Sequence, residues 1–196
     1  MSAYPLTLRF KVIALARQFS VEDNAGRLMM YVKQKAFKLR EAITVYADES
    51  QTRALYKIQA DRVIDFSATY HITDAMGAEM GAVRQRGMRS LWRARYDVVR
   101  NDSVVFEVSE ANPFAKVADG FLGEIPILGF FSGYLFHPKY VVRTADGAEA
   151  LTATKQPAFF EGRFNLERQA APLSADDERL LVIATATVIL LEKNRG

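Results

Sequence analysis

Leu180-Leu-Val-Ile-Ala-Thr-Ala-Thr-Val-Ile-Leu-Leu191 is a run of twelve residues whose only polar members are Thr185 and Thr187. Ahead of it stands Ser174-Ala-Asp-Asp177-Glu178, a helix N-terminus with Ser174 as cap and three acidic residues at the positive end of the helix dipole. Behind it Glu192-Lys-Asn-Arg-Gly196 makes a polar stop. The two threonine hydroxyls can bond back to the preceding turn, so as a helix the segment presents no polar face. A helix that is apolar all round must be buried on all sides. It is about 18 Å long, short of the ~20 apolar residues that a membrane span needs. In a chain whose other segments are strands, one solution is a barrel closed around it. The β-branched residues Val182, Ile183, Val188 and Ile189 keep a buried strand as the second reading.

The rest of the chain alternates with period two, the pattern of strands with one buried face. In Leu91 to Val99, Trp92, Ala94, Tyr96 and Val98 share one face, and Arg93, Arg95 and Asp97 share the other. Tyr56, Ile58 and Ala60 oppose Lys57 and Gln59; Ala68, Tyr70 and Ile72 oppose Thr69 and His71. Val104, Phe106 and Val108 oppose Glu107 and Ser109, and Phe160, Phe164 and Leu166 oppose Glu161, Arg163 and Asn165. Many short strands joined by turn residues indicate a mainly β protein with a closed or sandwiched antiparallel sheet.

A weak internal echo runs through these strands. Asp23-Asn-Ala-Gly26, Asp74-Ala-Met-Gly77 and Asp146-Gly147 are each followed by a basic-Gln pair, ending at Gln34, Gln85 and Gln156. The glycine-to-glutamine spacing is eight, eight and nine residues. Each unit is expected to be a tight Asp/Gly turn, a strand, a second turn and a returning strand.

Composition excludes more than it selects. The 196 residues include no cysteine, so a disulfide framework, a thiolate metal site and a cysteine nucleophile are ruled out. Two histidines, His71 and His137, offer little for metal or triad chemistry, and His137 precedes Pro138, where a turn role is expected rather than ligation. Phosphate-loop, dinucleotide and Gly-x-Ser-x-Gly motifs are absent. Gly77/Gly81 and Gly129/Gly133 are small-xxx-small pairs that read as turn residues outside a membrane helix. No catalytic residue, metal or cofactor is expected, and the chain is not expected to be an enzyme.

The N-terminal Met1-to-Phe19 segment carries Arg9 and Lys11 in its apolar part and does not read as a signal peptide. Phe121 to Phe136 is broken by Glu124, Pro126 and three glycines, so no transmembrane segment is expected. A cytoplasmic protein, at most peripheral to a membrane, is the resulting expectation. Of 26 Lys+Arg and 23 Asp+Glu, residues 1–145 hold 20 basic and 15 acidic. Arginine concentrates at Arg84, Arg86, Arg89, Arg93, Arg95 and Arg100, with only Asp97 opposing.

These features converge on a resemblance. Tyr31-Val-Lys-Gln-Lys-Ala-Phe-Lys-Leu-Arg-Glu41, Gly81 through Ser90-Leu-Trp-Arg93, Leu135-Phe-His-Pro-Lys-Tyr140 and Asp176-Asp-Glu-Arg-Leu-Leu181 together resemble the LURP-one-related proteins. These belong to the tubby C-terminal-like superfamily, with the phospholipid scramblases. The resemblance implies one domain over residues 1–196: a twelve-stranded antiparallel barrel enclosing a hydrophobic C-terminal α-helix. It implies no catalytic constellation. Tubby domains bind phosphoinositide head groups through basic residues, and scramblases act on membrane lipids. The calcium-binding acidic cluster and cysteine-rich segment of scramblases are missing here, so scrambling and calcium dependence are not carried over.

The arginine hairpin is the candidate site. Arg84 and Arg86 are two apart, as are Arg93 and Arg95, so each pair lies on one strand face. With Lys33, Lys35, Lys38 and Arg40 of the equivalent hairpin, they form a prospective surface for anionic phospholipid or phosphoinositide head groups, since the guanidinium fork donates two parallel bonds to phosphate. The competing reading is a solvated barrel face whose charges maintain solubility. A protein-interaction or scaffold role, through a sheet edge or the apolar 121–136 stretch, is the alternative function. Nucleic acid is not expected, because Trp92 and Tyr96 alternate away from Arg93 and Arg95. Glu41 falls on the apolar face of Phe37, Leu39, Ile43 and Val45, where a bulge or an arginine partner would explain it.

Overall fold

The computed structural model describes residues 3–13, 16–34, 42–62, 68–86, 95–111, 138–157 and 161–193. Twelve strands follow one another: β1 (Leu6–Ile13), β2 (Ala16–Glu22), β3 (Leu28–Gln34), β4 (Ile43–Tyr46), β5 (Ala54–Ala60), β6 (Thr69–Asp74), β7 (Glu79–Gln85), β8 (Arg95–Arg100), β9 (Ser103–Glu110), β10 (Lys139–Thr144), β11 (Glu149–Gln156) and β12 (Glu161–Arg168). One helix, α1 (Ala175–Lys193), ends the chain. Every strand pairs antiparallel with its neighbours in sequence, and β12 returns to pair with β1 through Leu6↔Leu166 to Lys11↔Glu161. The barrel is therefore closed, and the sheet-edge version of the interaction reading fails because β1 and β12 cover each other.

The alternation read from the sequence sets which side faces in. Tyr96 and Val98 of β8, Phe106 and Val108 of β9 and Phe164 and Leu166 of β12 all lie in the core. So do Ile58 of β5 and Ile72 of β6. A helix occupies the space these strands enclose, which settles the helix-or-strand alternative for the C-terminal run. All twelve residues from Leu180 to Leu191 are buried, none more than 5% exposed. The hydroxyls of Thr185 and Thr187 donate to the carbonyls of Leu181 and Ile183 at 2.7 and 2.8 Å, which removes the cost of burying them. The Asp177 amide donates to Ser174 Oγ at 3.1 Å, as expected of an N-cap.

Because the chain is a meander, the even-to-odd connections share one rim with the N-terminus of α1. Glu192 and Lys193 reach the other. Near the first rim Arg100 Nη1 bonds Asp177 Oδ1 at 2.6 Å. Near the second, the Tyr96 hydroxyl donates to Glu192 Oε1 at 2.6 Å, and the Lys193 ammonium stands 5.4 Å from the centroid of Phe10. Barrel and helix are thus tied at both ends as well as through the core.

The internal echo corresponds to hairpins β2–β3, β6–β7 and β10–β11, each four strands from the next in a ring of twelve. Gly26, Gly77 and Gly147 all adopt positive φ, at 75°, 87° and 90°. Each donates to the carbonyl three residues back: Asp23, Asp74 and Thr144. In the first two turns the aspartate Oδ1 also accepts amides two and four residues on, Ala25 and Arg27 or Met76 and Ala78, all at 2.9 Å. The third turn departs from the sequence reading. Thr144, not Asp146, holds the equivalent position, and Gln156 lies one residue beyond the place of Gln34 and Gln85. All three hairpins then carry a bulge, at Met29, Met80 and Ala150, where the register slips by one.

One glycine was misjudged. Gly81 lies inside β7, not in a turn, with φ at 154°. A Cβ there would stand 2.7 Å from the Val99 carbonyl oxygen and 3.0 Å from Leu180 Cδ2, so the missing side chain is what lets β7 approach both β8 and the helix.

Candidate functional site

Of the predicted site residues, Arg84, Arg86, Arg95 and Lys33 are placed; Arg93, Lys35, Lys38 and Arg40 lie outside the described residues, as do Glu41, His137 and the 121–136 stretch. Arg84 lies on the outside of β7, Arg86 follows just past its end with its amide donating to the Arg95 carbonyl, and Arg95 opens the outer side of the adjacent β8. Lys33 is exposed on β3, four strands around the barrel from β7, so it does not join the arginines.

Register puts the arginines into a lateral row of charge. Arg84 lies opposite Asp97, Asp97 opposite Glu107, Glu107 opposite Arg143, and Arg143 opposite Glu149. Arg84 Nε is 3.6 Å from Asp97 Oδ2, and Arg143 Nη2 is 2.7 Å from Glu149 Oε1. Asp97 and Glu107 are like charges at directly opposed positions, an arrangement that repels. Arg86 resolves it: its Nη1 bonds Glu107 Oε1 and stands 3.8 Å from Asp97 Oδ1. The two carboxylates hold the Arg86 guanidinium charged, raising its pKa, with the Glu107 hydrogen bond the largest contribution.

Arg95 differs from its neighbours. Its guanidinium is exposed and makes no ion pair or side-chain hydrogen bond among the described residues. It shares the wall of a cavity of about 140 Å³ with Arg86, Glu107, Ser109 and Arg143. Sequence reasoning missed Arg143 and Glu107 as members of this face because both arrive through pairing of distant strands, β9 with β10, that no local spacing reveals. Tyr96, next to Arg95 in sequence, points into the barrel and bonds Glu192, so it provides no stacking surface beside the arginines.

The family model described as LURP-one-related matches residues 28–126, half of the chain, from β3 through β9 and beyond. The chain belongs to the LURP-one-related family. The match contains both basic hairpins, while the core helix lies beyond it. The barrel closed around that helix is the architecture the sequence resemblance implied for LURP-one-related proteins. No curated protein and no solved structure matches the chain. Among the described residues of this LURP-one-related chain, no helix is long and apolar enough to cross a membrane, and no three His, Asp or Glu side chains converge as a metal site would require.

Proposed function

We propose that the protein is a non-enzymatic binding module whose arginine-bearing face, β7 to β10, takes the phosphate of anionic phospholipid head groups at a membrane surface. The observation that carries this reading is Arg95: an exposed residue whose guanidinium has no ion pair or side-chain hydrogen bond among the described residues, on the wall of a cavity that Arg86 and Arg143 also line. A phosphate there meets one spare bidentate donor and two arginines whose present partners, Glu107 and Glu149, are half-exposed. Exposed ion pairs are worth little, so exchanging a carboxylate for a phosphate costs little. A single head group is then held weakly, and useful affinity comes from several contacts on one surface.

Co-sedimentation with vesicles of neutral lipid, with and without anionic phospholipid, tests the reading. Binding should require the anionic lipid, fall as salt shortens the screening length, and drop about tenfold in Arg95→Ala. Lys33→Ala, four strands away, should bind as the parent does. No binding at low salt, or equal binding by parent and Arg95→Ala, would remove this function.

A further inference from the structure

Ala175, Glu178, Arg179 and Val182 follow one another at i, i+3, i+4, i+7 spacing, so they form one face of the first turns of α1. This face bounds a cavity of about 340 Å³ whose other sides come from the segment before β1 and from β1, β2, β3 and β5. The volume is within the range of small-molecule sites. Its deep end is core: Leu6, Val21, Met30 and Val182 line it, none more than 5% exposed. Tyr4, Leu55 and Tyr56, all half-buried, form the sides, and Met29, 38% exposed, stands at the mouth.

Consecutive residues of a strand point to opposite faces, so one cavity ordinarily meets every second side chain. Here both Met29 and Met30 of β3 line it, and so do both Leu55 and Tyr56 of β5. The cause is a bulge in each strand. Met30 pairs with Val21 and Leu28 with Glu22, which leaves Met29 extra. Tyr56 pairs with Val45 and Ala54 with Tyr46, which leaves Leu55 extra. Each bulge re-aims a side chain, and together they add two apolar groups to the lining.

The lining disfavours a charged ligand of either sign. Its ionic groups, Glu178 and Arg179, are adjacent and opposite in charge. Arg179 Nη1 bonds Asp176 Oδ1 at 3.0 Å, so an entering anion would compete with that carboxylate and meet Glu178 beside it. An entering cation would meet Arg179 in the same way. Burial pushes the phenols of Tyr4 and Tyr56 up, as surroundings poor in water do. The apolar groups favour rings over chains. Two tyrosine rings offer edge and face contacts, and the methionine sulfurs contact aromatic groups favourably while their flexible chains adapt to ligand shape. An apolar cavity of about 150 Å³ holds benzene, so this one has room for roughly two or three rings. We propose that the cavity binds one small neutral aromatic molecule of that size, with its rings among Tyr4, Tyr56, Met29 and Met30 and a polar hydrogen donated to Glu178.

The site shares no residue with the arginine face on β7 to β10, so it stands or falls independently of vesicle binding. Fluorescence titration of the full chain with N-phenylnaphthylamine, a neutral dye that brightens in apolar surroundings, tests it. Anilinonaphthalene sulfonate, the same rings with an anionic group added, is the charged control. The neutral dye should saturate at about one per chain, and the sulfonate should bind at least about tenfold more weakly. Leu55→Asp puts a carboxylate into the apolar side of the cavity and should weaken the neutral dye at least about tenfold. Where Leu55→Asp fails to fold, Ala175→Trp decides, because it adds an indole to the lining from an exposed helix position; it should weaken the dye by a similar factor. No saturable rise in fluorescence, equal affinity for the sulfonate, or parent-like affinity in either folded variant overturns the proposal.

Discussion

Removing the Arg86 guanidinium leaves Asp97, buried, facing Glu107 across β8 and β9, with Arg84 its remaining ion-pair partner among the described residues. Arg86→Ala should therefore lower stability more than Arg95→Ala, whose guanidinium has no ion pair or side-chain hydrogen bond among the described residues to abandon. Denaturant melts should show a lower midpoint for the first and a midpoint close to the parent's for the second. The same pair sorts structural from binding roles, since Arg95→Ala is the variant expected to lose vesicles without losing stability. Carboxylates elsewhere set the acid limit of the fold. Hydrogen bonds from Ser174 and the charge and hydrogen bond of Arg100 hold Asp177 below its usual pKa, and the Arg27 amide does so for Asp23. A group depressed in the folded state stabilises above its unfolded pKa of about 4, and that contribution is lost as pH falls through the folded value. Denaturant midpoints should be flat from neutral pH down to about 5 and fall below about 4, with a shallower fall in Asp177→Asn. At Gly81, alanine puts a methyl group 2.7 Å from a carbonyl oxygen that β8 cannot withdraw without breaking its pairing, so Gly81→Ala should cost at least about 2 kcal/mol in the same melts.

At the level of elements, the strands and the helix were legible because burial writes itself into sequence periodically. Tyr96 and Val98 faced in, as alternation required, and the apolar run with its Ser174 cap formed the helix read from it. The turns were legible through Gly26, Gly77 and Gly147, whose positive φ other residues resist. Three things were hidden. The bulges at Met29, Met80 and Ala150 shift the register without any residue type demanding it. The partners of Arg86 and Arg143 come from neighbouring strands, and only the closed register brings them together. The equivalence of Arg100 and Arg168, which donate to the bulge carbonyls of Met80 and Ala150, appears once strands are paired, since the surrounding sequences share no motif. For the helix itself, Ile183→Ala removes a fully buried side chain from the barrel axis and should cost about 2–5 kcal/mol, read as a shift of the denaturation midpoint.

Across the whole molecule the twelve strands close into one ring. Among the described residues β3 meets β4 at one register pair, Tyr31 with Tyr46, whereas β1 and β2 share seven. Amide exchange under native conditions should be slowest in the strands that bond α1, such as β8 through Tyr96 and Arg100. Everything else in the barrel depends on its centre being filled. Twelve strands closed without α1 would surround an apolar void that neither water nor side-chain rearrangement can fill. The most direct measurement is therefore the solubility and denaturant unfolding of a 1–173 fragment beside the full chain. The full chain should unfold in one cooperative transition, and the fragment should be insoluble or show no transition at all. A soluble 1–173 fragment that unfolds cooperatively would contradict the helix-filled barrel.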